Sequence, residues 1–430
     1  MDNNYQDIPK YGGATGLAQV FINSKLTPLL IIASVLLGMF ALMLTPREEE
    51  PQIVVPMIDV MVMMPGATPE EVENLLARPM EQKIWEIEDI EYVYSASYPS
   101  FAMATARFLV GTDMEEAITR LNNKVFGSAD LWPQSMSTPP LIKVRSIDDV
   151  PMMTLTLWSD QYEGYDLRQV AAELKNEISS ITDVSVIELM GGRKRSVNVQ
   201  LDPQRMAGFN ITTLAILPAL EMQNTSLPSG SFAAGNNQYV VETGTFLRSA
   251  NDVANLVVGS FNERPVRLMD IATVTDGPAE VDSYTFLGVG PAGAETGIDT
   301  GAFPVGSEHA AVTISIAKRI GSDATRVADN VLAKVDRLQG TLIPANVHIT
   351  TTRNYGATAK DKASSLISNL GLAIFLAVVV VFLAMGWRGA TLIFLSIPTT
   401  FSMTLFIYYI MGYTLNRVTL FALILVTGIV

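Results

Sequence analysis

Cysteine is absent from this chain, and histidine is almost absent. The 430 residues include no cysteine and only two histidines, His309 and His348. Without cysteine, neither a disulfide nor a thiolate metal site can form. Two histidines far apart in sequence lack the spacing typical of a zinc centre, and no nucleophile–base arrangement stands out. We therefore predict a protein that has no metal site, needs no cofactor and is not an enzyme.

Positive charge is also scarce. Lysine and arginine total 29 against 43 aspartates and glutamates, which gives a formal net charge of -14. A protein that binds nucleic acid needs a basic face to neutralise phosphates. The charge balance therefore excludes nucleic acid as a partner.

The hydropathy of the chain lies between that of two common classes. Hydrophobic residues make up 49% of the chain and charged residues 17%, and the mean hydropathy is +0.29. These values are too apolar for a typical soluble protein and too charged for a bundle of membrane spans alone. The chain is expected to combine membrane helices, which contact the lipid bilayer, with a large polar part outside it.

Long uncharged stretches lie near both ends of the chain. The stretches 363–387 and 389–411 exceed the roughly 20 apolar residues that cross a bilayer, and each predicts a transmembrane helix. We predict another such helix at 25–46. It is read as a membrane helix and not as a cleaved signal peptide, because acidic residues stand where a signal peptide has basic ones. Before it, residues 1–24 are predicted to form an amphipathic segment. The stretch 416–430 predicts the start of a further helix that the end of the chain cuts short.

The charges that flank these stretches predict the orientation in the membrane. Lys10, Lys25 and Arg388 lie on one side, whereas Arg47 on the other side is followed at once by the three glutamates of 48–50. By the positive-inside rule, the N-terminus is cytoplasmic and the block 47–361 lies outside.

The block between the membrane stretches repeats a strand–helix–strand pattern. The first unit has a β-rich run at 53–64, followed by a helix start in which Thr68 and Glu71 form a capping box around Pro69. Paired units of this kind predict ferredoxin-like βαβ folds, so the fold class is an α+β membrane protein. The four units run over 53–92, 101–144, 152–190 and 311–351, and an inserted α+β region at 196–280 divides the last two.

A glycine-rich segment at 286–308 includes Gly288–Gly293, which matches the letters of a dinucleotide fingerprint. The fingerprint requires a helix directly behind it to hold the pyrophosphate, and more glycines follow instead. We interpret the segment as a mobile loop.

Methionine is unusually frequent, with 20 residues. Two clusters lie at 61–64 and 152–153. Thioethers pack in cores, form adaptable apolar pockets and ligate Cu(I), and the residues alone leave these three interpretations open.

The order of these parts, together with several short motifs, resembles the N-terminal half of resistance-nodulation-division (RND) efflux pumps. The resemblance is nearest to their hydrophobe/amphiphile branch, which includes multidrug and acriflavin-resistance-like pumps, and it covers essentially the whole chain. The motifs are TPREEEP at 45–51, PGA at 65–67, GTD at 111–113, DDVP at 148–151, RGATL at 388–392 and NRVTL at 416–420.

The resemblance implies a homotrimeric inner-membrane pump with a large periplasmic domain. Such a pump uses proton influx to export small hydrophobic or amphiphilic compounds, together with a periplasmic adaptor (membrane fusion) protein and an outer-membrane channel. Carried over by position, porter subdomain 1 is 47–148, porter subdomain 2 is 149–195 with 281–353, and the docking domain is 196–280. The family's proton-carrying aspartate pair is expected just after Val430, so this chain would contain no proton relay.

The resemblance also implies two sets of functional residues. A loop in the docking domain would contact a neighbouring protomer through Asn224, Pro228, Gly230, Gly235 and Tyr239. The substrate-binding positions would be Met61, Met63, Met103, Val150, Met153 and Met190.

Two other functions stay open at this point. The methionines are compatible with an exporter of Cu(I) or Ag(I), in which about three thioethers converge on one ion. The chain could also be a membrane-tethered binding or assembly module without transport. The segment 286–308 is longer than in typical drug pumps of the branch, which leaves the substrate class undetermined.

Overall fold

Two open sheets and a small inserted unit lie between an N-terminal helix and two C-terminal helical elements. The computed structural model describes residues 24–51, 55–133, 136, 138–146, 149–244 and 246–429. The predicted amphipathic segment 1–24 therefore falls, except for Ser24, outside the described residues.

The first sheet has four antiparallel strands in the order β2-β3-β1-β4. Its strands are β1 (Met57–Met63), β2 (Ile90–Tyr98), β3 (Phe101–Phe108) and β4 (Leu141–Arg145). The helices that cover it are Pro69–Val72 and Arg78–Trp85, joined by the π-helical turn Glu73–Ala77, and Met114–Gly127. The chain thus runs β-α-β-β-α-β, which is the connectivity of a split βαβ unit.

Strand alternation decides which face of the first sheet is buried. Ile58, Val60 and Val62 of β1 are buried and pack with the helices. Successive side chains of a strand point to opposite faces, so Met61 and Met63 lie on the face away from the helices. The predicted capping box also forms: the Thr68 backbone N–H donates to Glu71 Oε2 at 2.8 Å, and the Glu71 N–H donates to Thr68 Oγ1 at 3.3 Å.

The second sheet has the same connectivity, but its halves are far apart in sequence. Its central pair is β5 with β14; β15 lies beside β5, and both β6 and β13 pair with β14. The strands are β5 (Pro151–Trp158), β6 (Val184–Met190), β13 (Phe286–Gly288), β14 (Glu308–Lys318) and β15 (His348–Asn354). The helices Gly164–Ser179 and Ala324–Leu338 cover one face and share its apolar core.

The inserted unit is closed at its base by the antiparallel pair β7 (Arg195–Leu201) and β12 (Ala272–Pro278). A long hairpin of β8 (Leu227–Ala234) and β9 (Asn237–Thr243) projects from it. The remaining elements are the helices Pro203–Gly208, Thr213–Gln223, Ala250–Ala254 and Leu268–Ile271 and the strand pair β10 (Val257–Phe261) with β11 (Arg264–Arg267).

The glycine-rich segment is packed on the second sheet, so the interpretation of 286–308 as a mobile loop does not agree with the structure. Val289 and Ile298 are buried and pack around Trp158 of β5, and Phe303 joins the same cluster. A short 3₁₀ turn, Gly293–Thr296, replaces the helix that a dinucleotide site would need. Apolar side chains placed between the glycines anchor this segment.

Leu26–Leu44 and Tyr355–Ile410 are, in the described part of the chain, the helices with the length and composition to cross a membrane. Within the second of them, Gly386 has non-helical angles (φ 75°, ψ -178°), so the predicted helices 363–387 and 389–411 correspond to two helical segments that meet at this glycine. The helix Arg417–Ile429 follows. Gly38 packs against Ser402 so closely that a Cβ added at Gly38 would lie 2.3 Å from the Ser402 Cβ.

Candidate functional site

The open face of the first sheet brings three of the predicted site residues together. Met61 of β1 is directly paired with Met103 of β3, and Met63 is paired with Phe101. Directly paired side chains lie about 5 Å apart at Cβ, so the three thioethers form one continuous patch. Met63 is 50% exposed, and the other two are partly buried. We call Met61, Met63, Phe101 and Met103 the methionine patch.

Tyrosines that we did not single out from the sequence lie at the edge of this face. In β2, Tyr98 is paired with Phe101, Ala96 with Met103 and Tyr94 with Thr105. Tyr94 and Tyr98 are each about half exposed. The signal was the spacing of Tyr92, Tyr94 and Tyr98, which are separated by even numbers of residues and therefore lie on one face of the strand.

A buried carboxylate lies beside the methionine patch. Asp59, two residues before Met61, accepts hydrogen bonds from Thr105 Oγ1 and Arg145 Nε, both at 2.6 Å. These donors satisfy a group that would be costly to bury alone. The open face is therefore apolar and aromatic at one end and holds a neutralised ion pair at the other.

The other predicted substrate residues lie elsewhere. Met190 is exposed on β6 and is paired with Thr313 in the second sheet. Val150 is exposed just before β5. Met153 is 0% exposed in the apolar core of the second sheet. Its assignment to a pocket lining is therefore wrong in this conformation, because its side chain has the same parity as the core residues Leu155 and Leu157.

The open face of the second sheet is polar. Threonine hydroxyls of neighbouring strands bond to one another: Thr156 Oγ1 lies 3.0 Å from Thr313 Oγ1 and 3.2 Å from Thr352 Oγ1. Thr154 Oγ1 lies 2.8 Å from the same Thr352 hydroxyl. The two sheets therefore offer different chemistry, one apolar and polarisable and the other hydrogen-bonding.

The residues predicted to contact a neighbouring protomer lie in and beside the β8–β9 hairpin. Pro228, Gly230 and Tyr239 are in its strands, Gly235 has a positive φ of 58° in its turn, and Asn224 precedes it. Every residue of both strands is exposed, including Phe232, which stacks on Tyr239 with ring centroids 5.3 Å apart. An isolated two-stranded hairpin is marginally stable in water, so this element presents an aromatic surface with little support of its own.

A buried ion pair joins the end of the first helix to the second sheet. Lys318 of β14 donates to Glu48, and Thr414 Oγ1 donates to Glu48 Oε2 at 2.9 Å. The Glu48 side chain is 3% exposed and that of Lys318 is 9%. An adjoining cavity of about 230 Å³ is lined by Glu48 and Val150, among others.

No group of three or more histidines, aspartates and glutamates suited to a metal ion occurs in the described ranges. The methionine patch does bring together ligands for a soft metal ion, because thioethers bind Cu(I). The chemistry of the patch is otherwise that of an adaptable apolar contact surface.

Comparison with known proteins gives one consistent family. The model of the AcrB/AcrD/AcrF family matches residues 17–430. The multidrug resistance protein MdtC of Shigella sonnei (strain Ss046) is 27% identical over 406 residues, which are 94% of this chain and 38% of the relative. MdtC of Escherichia coli (strain K12) and of Klebsiella pneumoniae subsp. pneumoniae have the same identity and coverage. The chain thus spans about two fifths of the length of these relatives.

Proposed function

The chain belongs to the AcrB/AcrD/AcrF family, and from this membership we propose that it forms part of an inner-membrane pump that exports hydrophobic or amphiphilic compounds. Proton influx would drive export, and the titratable groups would follow the helix Arg417–Ile429. The relatives are named multidrug resistance proteins. We extend to this chain the export of several different compounds that this name implies.

The methionine patch is the observation that supports this proposal best. A pump for varied apolar compounds needs a surface that can repack around each of them, and flexible, polarisable thioethers beside amphipathic tyrosines provide it. Met190 and Val150 would add contacts from the second sheet and from the segment before it, whereas the fully buried Met153 would not.

The remaining parts take the roles that the family resemblance implies. Residues 47–148 would be one porter subdomain, 149–195 with 281–353 the other, and 196–280 the docking domain, all in the periplasm. The exposed β8–β9 hairpin would reach into a neighbouring protomer of a homotrimer. A periplasmic adaptor and an outer-membrane channel would complete a tripartite pump.

The experiment uses the absence of cysteine from the chain. In the full-length protein, Met61→Cys and Met103→Cys are labelled with a maleimide, with and without an organic amphiphile, and the labelled site is identified by mass spectrometry. We expect the amphiphile to slow labelling at both positions, because it covers the patch. Met269→Cys, exposed in the inserted unit, should label at an unchanged rate. Equal labelling of Met61→Cys and Met103→Cys with and without every amphiphile tested would refute the patch as the binding surface.

The patch also supports a second candidate, export of Cu(I) or Ag(I), because Met61, Met63 and Met103 adjoin on one face. The double variant Met61→Leu/Met103→Leu keeps the volume and apolarity of the patch and removes two sulfurs. Organic export that changes by less than about twofold supports the amphiphile pump. Loss of copper or silver tolerance, with intact expression and assembly, supports the metal exporter instead.

A further inference from the structure

We propose that Ser307 is a nucleophile that accepts acyl groups from uncharged carboxylic esters, and that His309 and Asp160 activate it. The three residues lie at one end of the second sheet. Ser307 directly precedes β14, His309 is in β14, and Asp160 follows the end of β5. None of them belongs to the methionine patch, so the proposal does not rest on the proposed pump function.

A continuous chain of hydrogen bonds joins the three side chains. His309 Nε2 lies 2.9 Å from Ser307 Oγ, and His309 Nδ1 bonds to Asp160 Oδ1. An ionised carboxylate only accepts hydrogen bonds, so Nδ1 carries the proton of the neutral imidazole. Nε2 is then an acceptor, and the Ser307 hydroxyl donates to it. This is the tautomer in which a histidine acts as general base toward a serine.

Packing holds the imidazole in this orientation. The His309 side chain is 8% exposed. Its ring lies 5.0 Å from that of Trp158 and 5.4 Å from that of Phe303, measured between centroids. The base is therefore already oriented toward the serine before any ester binds, which favours reaction.

The backbone holds Ser307 in place and leaves room beside it. The Ser307 N–H donates to the Pro304 carbonyl at 3.0 Å, and the Ser307 carbonyl accepts from the Val289 N–H at 2.9 Å. A Cβ added at Gly290 or Gly306 would have no atom within 4 Å. Ser307 itself is partly exposed. This open space gives a small ester access to the hydroxyl.

The surrounding charge selects the class of acyl donor. Glu308, next to Ser307, is exposed, and the Asp160 side chain is 56% exposed. These carboxylates repel an anionic ester, whereas an uncharged ester meets no such repulsion. Val305, which is 55% exposed, offers an apolar contact two residues before the nucleophile.

Acylation would exchange the alcohol of the ester for the serine. Ser307 Oγ attacks the carbonyl carbon and gives its proton to His309 Nε2, and Asp160 stabilises the imidazolium that forms. The bond from the carbonyl carbon to the alkoxy oxygen then breaks, and the leaving alcohol takes the proton from His309. The products are an acyl-serine and one alcohol. Ser307 and His309 are the catalytic residues, whereas Asp160 is a positioning residue because it acts through the imidazole.

The sequence did not reveal this arrangement, because Asp160 precedes His309 by 149 residues. Pairing between β5 and β14 brings them together. The same three residue types take these roles on unrelated folds, so the α+β fold does not exclude them here.

The test measures how fast a fluorophosphonate labels the full-length protein in detergent. Its phosphorus stands in for the acyl carbon: the serine oxygen displaces fluoride and forms a stable phosphonyl-serine, which mass spectrometry locates. We expect labelling at Ser307 that Ser307→Ala abolishes. Ser283→Ala is the matched control and should label as the wild type does, because the exposed Ser283 hydroxyl donates to Asp282 Oδ1 at 3.0 Å and not to a histidine.

Three variants test the roles of the base and its partner. His309→Gln should slow labelling of Ser307 by about 10²–10⁴-fold, the usual contribution of a general base. Asp160→Asn should lower the maximal labelling rate and leave the half-saturating probe concentration unchanged, because the amide donates to Nδ1 and favours the tautomer with a proton on Nε2. Asp160→Glu should restore part of the rate.

The exposure of Asp160 keeps this test independent of folding, because replacing a side chain that is more than half exposed leaves the packing of His309 intact. Labelling of Ser307 no faster than that of Ser283 would overturn the proposal, and so would labelling of Asp160→Asn at the wild-type rate. Either failure would leave cysteine protection at the methionine patch unaffected, so the two proposals are tested separately.

Discussion

Removing the ammonium group of Lys318 should loosen the junction between the end of the helix Leu26–Leu44 and the second sheet. Lys318→Met keeps most of the side-chain volume and removes the ammonium donor, so that the buried Glu48 carboxylate keeps its hydrogen bond from Thr414 Oγ1 but loses the compensating charge. Removing one partner of a buried ion pair costs about 3–5 kcal/mol, because the other charge stays buried without compensation. This magnitude applies here because both side chains are nearly fully buried.

Backbone hydrogen bonds at the junction report the loss locally. The Glu48 N–H donates to the Leu415 carbonyl at 3.0 Å, and the Leu415 N–H donates to the Pro46 carbonyl at 2.8 Å. Amide hydrogen exchange measures the opening free energy at each of these groups. In Lys318→Met we expect exchange at Glu48 and Leu415 to accelerate by roughly two to nearly four orders of magnitude, which is the 3–5 kcal/mol converted at 25 °C.

Two further variants make this prediction specific. Glu48→Gln/Lys318→Met removes both charges and should restore most of the protection, because a neutral amide replaces the unpaired carboxylate. Lys334→Met breaks the partly exposed pair with Glu177 and should change the opening free energy at Glu48 and Leu415 by no more than about 1 kcal/mol. If Lys318→Met accelerates exchange no more than Lys334→Met does, the buried pair does not hold the junction and the reasoning fails.

Two other predictions concern helix packing and pH. Gly38→Ala should destabilise the full-length protein in detergent by about 1–3 kcal/mol, because the new methyl group would overlap Ser402. Gly371→Ala is the control, because a Cβ added at Gly371 would have no atom within 4 Å. Equal melting temperatures for the two variants would contradict this packing. Hydrogen bonds from the Thr68 backbone N–H and hydroxyl lower the pKa of Glu71 below 4.5, so its stabilisation of the helix start is complete above that pH and is lost as the pH falls through the lowered pKa. The difference in melting temperature between pH 7 and pH 4 should therefore be smaller in Glu71→Gln than in Glu70→Gln or the wild type, and parallel pH dependence in all three would count against the capping box.

Local patterns in the sequence predicted much of the first sheet. The run 53–64 predicted a strand where the structure has Met57–Met63, and Thr68 with Glu71 predicted the helix start that follows. These features depend on side chains close in sequence, so alternation and capping are sufficient to predict them.

The error at Met153 was avoidable from the sequence, because threonine and leucine alternate along β5 and Met153 falls on the leucine side. The packing of the glycine-rich segment was not predictable in this way. It depends on Trp158, which lies more than 130 residues earlier, and no local pattern marks that contact. The aromatic cluster around Trp158 depends on pairing across β5, β14 and β15 for the same reason.

The split construction of the second sheet affects the order in which the protein can fold during synthesis. The first sheet is complete once Arg145 has been made, but Trp158 of β5 pairs with Ala311 of β14, about 150 residues later. Closing a loop of that length is entropically unfavourable, and the β7–β12 pair shortens it by joining Arg195 to Pro278.

We therefore expect the inserted unit to fold before the sheet into which it is inserted. Until β14 emerges from the ribosome, β5 and β6 have no partner strand among those described, since β5 pairs with β14 and β15, and β6 pairs with β14. Their apolar residues and unpaired backbone groups would stay available to aggregation or to chaperones throughout the synthesis of the insertion.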